Sequence, residues 1–100
     1  MPLTGAQKTR LRALGQRLEP SVKIGQGGLT DAVVAEILRH LKAHELIKVR
    51  LLGFERDDRA GLLDQIAAKT HAELAGAVGH TALFYHAAAE AADRKIDLGS

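Results

Sequence analysis

Residues 21–52 read as a strand, a capped helix and a second strand in succession, and that unit limits the folds open to the chain. Ser21-Val22-Lys23-Ile24 alternates polar and apolar side chains and ends at Gly25-Gln26-Gly27-Gly28. Thr30 then stands as a helix N-cap with Asp31 behind it, and Val33, Val34, Ile37, Leu38 and Leu41 form one apolar arc. Glu36, Arg39, His40 and Lys42 point away from that arc. Glu45 to Leu52 is the clearest strand, with Ile47, Val49 and Leu51 alternating against Lys48 and Arg50. Two strands joined through a helix pair in parallel by a right-handed crossover, so the chain is built around a sheet with a helix on its face.

The flanks add to this unit. Thr4-Gly5-Ala6-Gln7 has the spacing of a capping box, which predicts a helix over 5–18 ended by Glu19-Pro20. Leu11, Leu14 and Leu18 share one stripe of it, with Lys8 and Arg12 on one side and Arg10 and Arg17 on the other. Asp57-Asp58 is read as the cap of a third helix to about residue 70, burying Leu62, Leu63, Ile66 and Ala67. Leu74–Val78 and Thr81–Tyr85 make a hairpin around Gly79-His80. The alanine-rich 87–92 fits either a helix or frayed chain, and 94–98 a short returning strand. The expected architecture is α/β, an α+β two-layer sandwich, in the order α-β-α-β-α-β-β. Three helices pack on one face of a four-stranded mixed sheet, and Lys23, Lys48 and Arg50 share the open face.

One hundred residues suffice for one core and one domain. Aromatics make up only 3% of the chain, which argues against recognition by several base-stacking rings. The absence of cysteine excludes disulfides and thiolate chemistry. No apolar run resembles a signal peptide or membrane span, so the expectation is a cytoplasmic protein with no membrane partner. The net charge of +2 hides a division: residues 1–50 carry nine Lys/Arg against four Asp/Glu, residues 51–100 five against eight. A half with such an excess of cations suits a polyanion.

The glycine loop sits before a helix N-terminus, whose free N–H groups and partial positive charge attract phosphate. It has neither the lysine and spacing of a P-loop nor the three-glycine G-x-G-x-x-G pattern of the Rossmann fingerprint. Taken alone it also fits a plain turn. Its setting narrows the reading: Leu3-Thr4-Gly5, Gln7-Lys8 and Leu11 precede it, with Leu18-Glu19-Pro20. Leu29-Thr30, the helix and His44-Glu45-Leu46-Ile47-Lys48-Val49 follow, and Gly79-His80-Thr81-Ala82-Leu83-Phe84-Tyr85 and Arg94-Lys95-Ile96-Asp97-Leu98 stand near the end. From Leu3 to Leu98 this resembles the CRM domain (chloroplast RNA splicing and ribosome maturation) in its stand-alone bacterial YhbY-like form. The resemblance implies a fold similar to the C-terminal domain of translation initiation factor three. It also implies RNA binding, with ribosomal RNA in large-subunit (50S) precursors as the partner of stand-alone members. The implied site is Gly25, Gln26, Gly27 and Gly28, with a basic surface of Lys8, Arg12, Lys23, Lys48, Arg50, Arg94 and Lys95. Four departures stand out: Gln26 sits where some similar proteins carry a lysine, His86 follows Tyr85 where an arginine-proline is common, the alanine-rich stretch is longer than usual, and Gly99 follows Leu98 where a proline is expected.

His40 and His44, four apart on a helix, form the one pair with metal-ligand spacing, but no third ligand or HExxH pattern accompanies them. Asp57-Asp58 is better explained as a cap than as a catalytic pair, and Tyr85 as a core or sheet-edge ring. No nucleophile–base pair is evident, so the expectation is a non-enzyme without cofactor, metal or small-molecule substrate, and a monomer. A protein–protein interaction module with an incidental basic face is the alternative.

Overall fold

The computed structural model describes residues 3–88 together with Arg94 and Ile96. The elements run α1 (Gly5–Gly15), β1 (Val22–Ile24), α2 (Asp31–His44), β2 (Leu46–Leu51), α3 (Arg56–Thr70), β3 (Glu73–Val78) and β4 (Thr81–Tyr85). Both predicted N-terminal signals form. Gln7 N donates to Thr4 Oγ1 at 3.1 Å while Thr4 N donates to Gln7 Oε1 at 3.0 Å, closing the capping box of α1. Val33 N donates to Thr30 Oγ1 at 3.2 Å and opens α2. The third helix starts differently: Glu55 occupies its N-cap with no side-chain cap bond, and Asp57 and Asp58 lie in the first turn. There they act on the helix dipole rather than as caps.

The four strands stand in the order β1-β2-β4-β3. β1 and β2 are parallel, as a strand–helix–strand unit requires, while β4 pairs antiparallel with both β2 and β3. Gly79 at φ +57° makes the hairpin turn, at the position where a two-residue turn with glycine first needs a left-handed residue. A bulge between Leu74 and Gly76 shifts the register of β3, turning Ala75 and Gly76 toward the same side of the sheet.

The helices divide between the faces, which differs from the expected single layer. Ile37 and Leu41 of α2 and Leu62 and Ile66 of α3 pack with Val22, Ile24, Ile47, Val49, Leu51 and Phe84. Leu11 of α1 packs instead with Leu46, Ala75, Leu83 and Tyr85, the side chains of the opposite face. The physical reason lies in β4: its residues Ala82 to Tyr85 are all buried, so both faces there carry apolar surface to cover. α1 also buries a different row from the leucine stripe. Leu11 is fully buried and Gly15 lies against Leu83, whereas Leu14 and Leu18 remain 38% and 36% exposed. The helix ends at Gly15, so Leu18 belongs to the following turn. Leu38, expected inside, is 44% exposed at the margin of the α2 arc.

Candidate nucleic-acid interface

The topology gathers the sequence-predicted loop and part of the basic surface at one end of the sheet. Parallel pairing places the loop after β1 beside the Gly53 turn after β2, and Leu52 N donates to Ile24 O at 2.8 Å. The antiparallel β4 brings its Gly79-His80 turn to the same end, where Leu51 N donates to His80 O at 2.7 Å.

Within the loop, Gly28 N donates to Gly25 O at 3.0 Å, closing a four-residue turn. Gly28, at φ +71°, is its left-handed residue, a conformation that L side chains resist. Gln26 and Gly27 are exposed, and a Cβ on Gly27 would meet no atom within 4 Å. Asp31 already stands in the first turn of α2, so its carboxylate partly satisfies the helix dipole. A phosphate approaching here therefore meets the Gln26 amide and loop backbone more than an unopposed positive end.

Lys23 pairs with Arg50 across β1 and β2, so the two side chains stand side by side on the α1 face. Lys48, two residues back on β2, shares that face beside Leu83. Arg12 reaches the same surface from α1, its Cγ and Cδ lying where a Cβ on Gly76 would sit. Lys8 is exposed one helical turn behind Arg12, about 6 Å farther from the loop end. Arg94 belongs elsewhere: its Nε donates to Ala88 O at 3.1 Å, near Tyr85. Tyr85 pairs with Leu46, about 13 Å along β2 from Arg50. Lys95 lies outside the described residues, as do 89–93 and 97–100 of the tail. The loop, Lys23, Arg50, Lys48 and Arg12 thus form one surface, to which Arg94 does not contribute.

The chain matches the model of the CRS1 / YhbY (CRM) domain over residues 3–86. It belongs to the CRM domain family. A Pseudomonas aeruginosa protein named as a probable RNA-binding protein is 44% identical over 85 residues, covering 85% of this chain and 82% of that protein. An RNA-binding protein of Haemophilus influenzae is 37% identical, covering 89% of this chain and 90% of its own length. The solution structure of a Staphylococcus aureus protein, described as a candidate RNA binder, superposes with a TM-score of 0.80 at 32% identity. The match covers 95% of this chain and 99% of that one, and confirms three helices with a four-stranded mixed sheet as the fold of this CRM domain.

Glu45 escaped the sequence reading except as the start of a strand. It is 2% exposed, takes φ +65°, and accepts from Ala88 N at 2.7 Å and Ile96 N at 3.0 Å. Its carboxylate fastens Ala88 and Ile96 and has no part in the loop surface. Burial, and then the negative charge of Glu45, raise the Tyr85 phenol above its ordinary value of 10.0. Gly15 and Gly76 were also missed. A glycine inside a helix and another inside a strand signal close approach, and here they bring α1 down onto the sheet. His40 and His44 stack at 6.3 Å on α2, and His40 Nε2 lies 4.0 Å from Glu36 Oε1. No group of three or more His, Cys, Asp or Glu among the described residues could hold a metal.

Proposed function

We propose that this CRM domain protein is a non-enzymatic RNA-binding protein acting on ribosomal RNA in precursors of the large ribosomal subunit. It acts as a monomer in the cytoplasm. The observation that carries RNA binding is the single surface formed by the exposed loop, Lys23, Arg50, Lys48 and Arg12. Relatives named as RNA-binding proteins, matched over most of their length, support it. The finer assignment to large-subunit precursors rests on the resemblance to stand-alone YhbY-like members.

Binding at such a surface is electrostatic. Four cations neutralising phosphates on a single strand give a slope of about −3 in log affinity against log salt, at roughly −0.7 per contact. A salt titration with a short single-stranded RNA reads this directly, and a flat response overturns RNA binding. Sedimentation of a cell extract tests the finer assignment. The protein is expected with large-subunit precursors, and its appearance only at the top of the gradient, or equally on mature particles, refutes that role.

A further inference from the structure

The surface contains a groove that the loop reading does not use. A cleft of about 380 Å³ opens where α1 ends against β4 and β3, within the roughly 300–1,000 Å³ of small-ligand sites. Leu83 forms its floor, and Val78, 78% exposed, extends the apolar surface toward the hairpin. Arg12 and Lys48 flank the floor, with Gln16 and Thr81 at the edges, and no carboxylate lines it among the described residues. Lys48 and Gly76 both pair beside Leu83, so the backbone of Lys48 and the Gly76 backbone under the Arg12 stem are two strand spacings apart, roughly 9–10 Å.

We propose that this groove seats one unpaired nucleotide of the bound RNA, its base on Leu83 and Val78 and its flanking phosphates at Lys48 and Arg12. The inference rests on the RNA-binding reading above and adds a base-contacting position to it. Charge complementarity selects the occupant: two cations with an apolar floor between them match a base with a phosphate on either side. An anionic backbone alone would leave the exposed valine in water. The glutamine amide and threonine hydroxyl at the edges can bond base or ribose but impose no single pattern, so the seat tolerates any base. The groove also joins the loop continuously. Arg50 pairs with Thr81, and Thr81 with Val78, so one row runs Lys23–Arg50–Thr81–Val78 across the sheet. A strand crossing that row passes from the glycine loop into the groove.

The test compares a short oligouridylate with an abasic ribose-phosphate chain of equal length and charge, at one salt concentration. The intact protein is expected to bind the uridylate roughly 5- to 30-fold more tightly, the scale of one base face leaving water. Val78→Ser, which changes no charge and sits at an exposed position, should weaken the uridylate about threefold and leave the abasic chain unchanged. Photocrosslinking of 4-thiouridine RNA should mark residues 12–16 and 76–83. Equal affinity for the two chains, or crosslinks confined to the loop, overturns the seat while leaving RNA binding intact. Failure of both chains to bind overturns the RNA-binding reading and the seat with it. A groove that takes a protein segment instead would leave the uridylate and abasic chains equal.

Discussion

Replacing Gln26 and Gly27 together by aspartate separates an RNA-binding loop from a turn that merely joins β1 to α2. Gly27 has open space around it and is not the left-handed residue, so an aspartate there brings no steric or backbone penalty. Gln26 is exposed, and no core contact is lost. Two carboxylates ahead of α2 also favour its dipole by about 0.3–1 kcal/mol at most, so the variant should melt no earlier than the parent. Binding moves the other way. Each new charge facing a phosphate at roughly 6 Å in water opposes it by about 0.7 kcal/mol. Losing the Gln26 amide as a donor to an ionised acceptor adds about 1.5 kcal/mol. With partial relaxation of the loop the loss is about 1–3 kcal/mol, or roughly 5- to 150-fold in affinity.

The double substitution also lowers the net charge from +2 to 0, so long-range attraction falls wherever the charges are placed. A control carries the same change on the far side of the sheet: Gln65→Glu with Ala68→Glu, both at exposed positions of α3. Fluorescence anisotropy with one RNA at one salt concentration compares the three proteins, after thermal melting has confirmed folding. Gln26→Lys is the converse, expected to tighten binding and steepen its salt dependence. A folded double-aspartate variant that binds like the parent, or no worse than the α3 control, refutes the loop as the site.

Gly28→Ala, at φ +71°, should cost about 1 kcal/mol of stability in chemical denaturation, and an unchanged midpoint would show the turn to be adaptable. Gly15→Ala should cost about 1–2 kcal/mol, because its Cβ would clash with Leu83 Cδ1 inside a packed face; a variant as stable as the parent contradicts the close approach of α1. Glu45→Gln should lose about 1–3 kcal/mol and speed amide exchange at Ala88 and Ile96, and unchanged exchange at both would show that the carboxylate does not hold the tail. Tyr85 ionises at higher pH when folded than when unfolded, so the unfolded chain releases its proton first and stability should fall as pH rises past about 10. Tyr85→Phe should flatten that fall, and an identical pH profile for both proteins refutes the assignment.

The legible parts of the fold were those governed by local periodicity and local chemistry. The alternation through Ile47, Val49 and Leu51 named the core face of β2, and the Thr4 and Thr30 caps located two helix starts within a residue. The shared face of Lys23, Lys48 and Arg50 then follows, since they have the opposite parity to the core residues of their own strands. What stayed hidden depends on contacts remote in sequence. The side on which α1 docks is decided by Leu46, Ala75, Leu83 and Tyr85, drawn from three strands, and no repeat within residues 5–18 carries that choice. Asp57-Asp58 misled because two acids at a helix start serve a cap and a first turn equally well. Glu45 was opaque because its partners, Ala88 and Ile96, lie over forty residues away.

The displaced helix changes the shape of the basic face. With all three helices on one side, Lys23, Lys48 and Arg50 would stand on an open, flat sheet, able to attract phosphate but without walls to hold a base. With α1 on their own face, the helix covers the Tyr85 end and stops at Gly15, leaving the Arg50 end exposed. Arg12 is carried over Gly76 onto a sheet that contributes Lys48 from the other side. The glycines make this possible: a side chain at position 15 would lift the helix from Leu83, and one at 76 would displace the arginine stem. Gly15→Ala therefore joins stability to binding. Lifting the end of α1 should weaken uridylate binding more than binding of the abasic chain, and equal weakening of both would mean that the helix supplies charge alone.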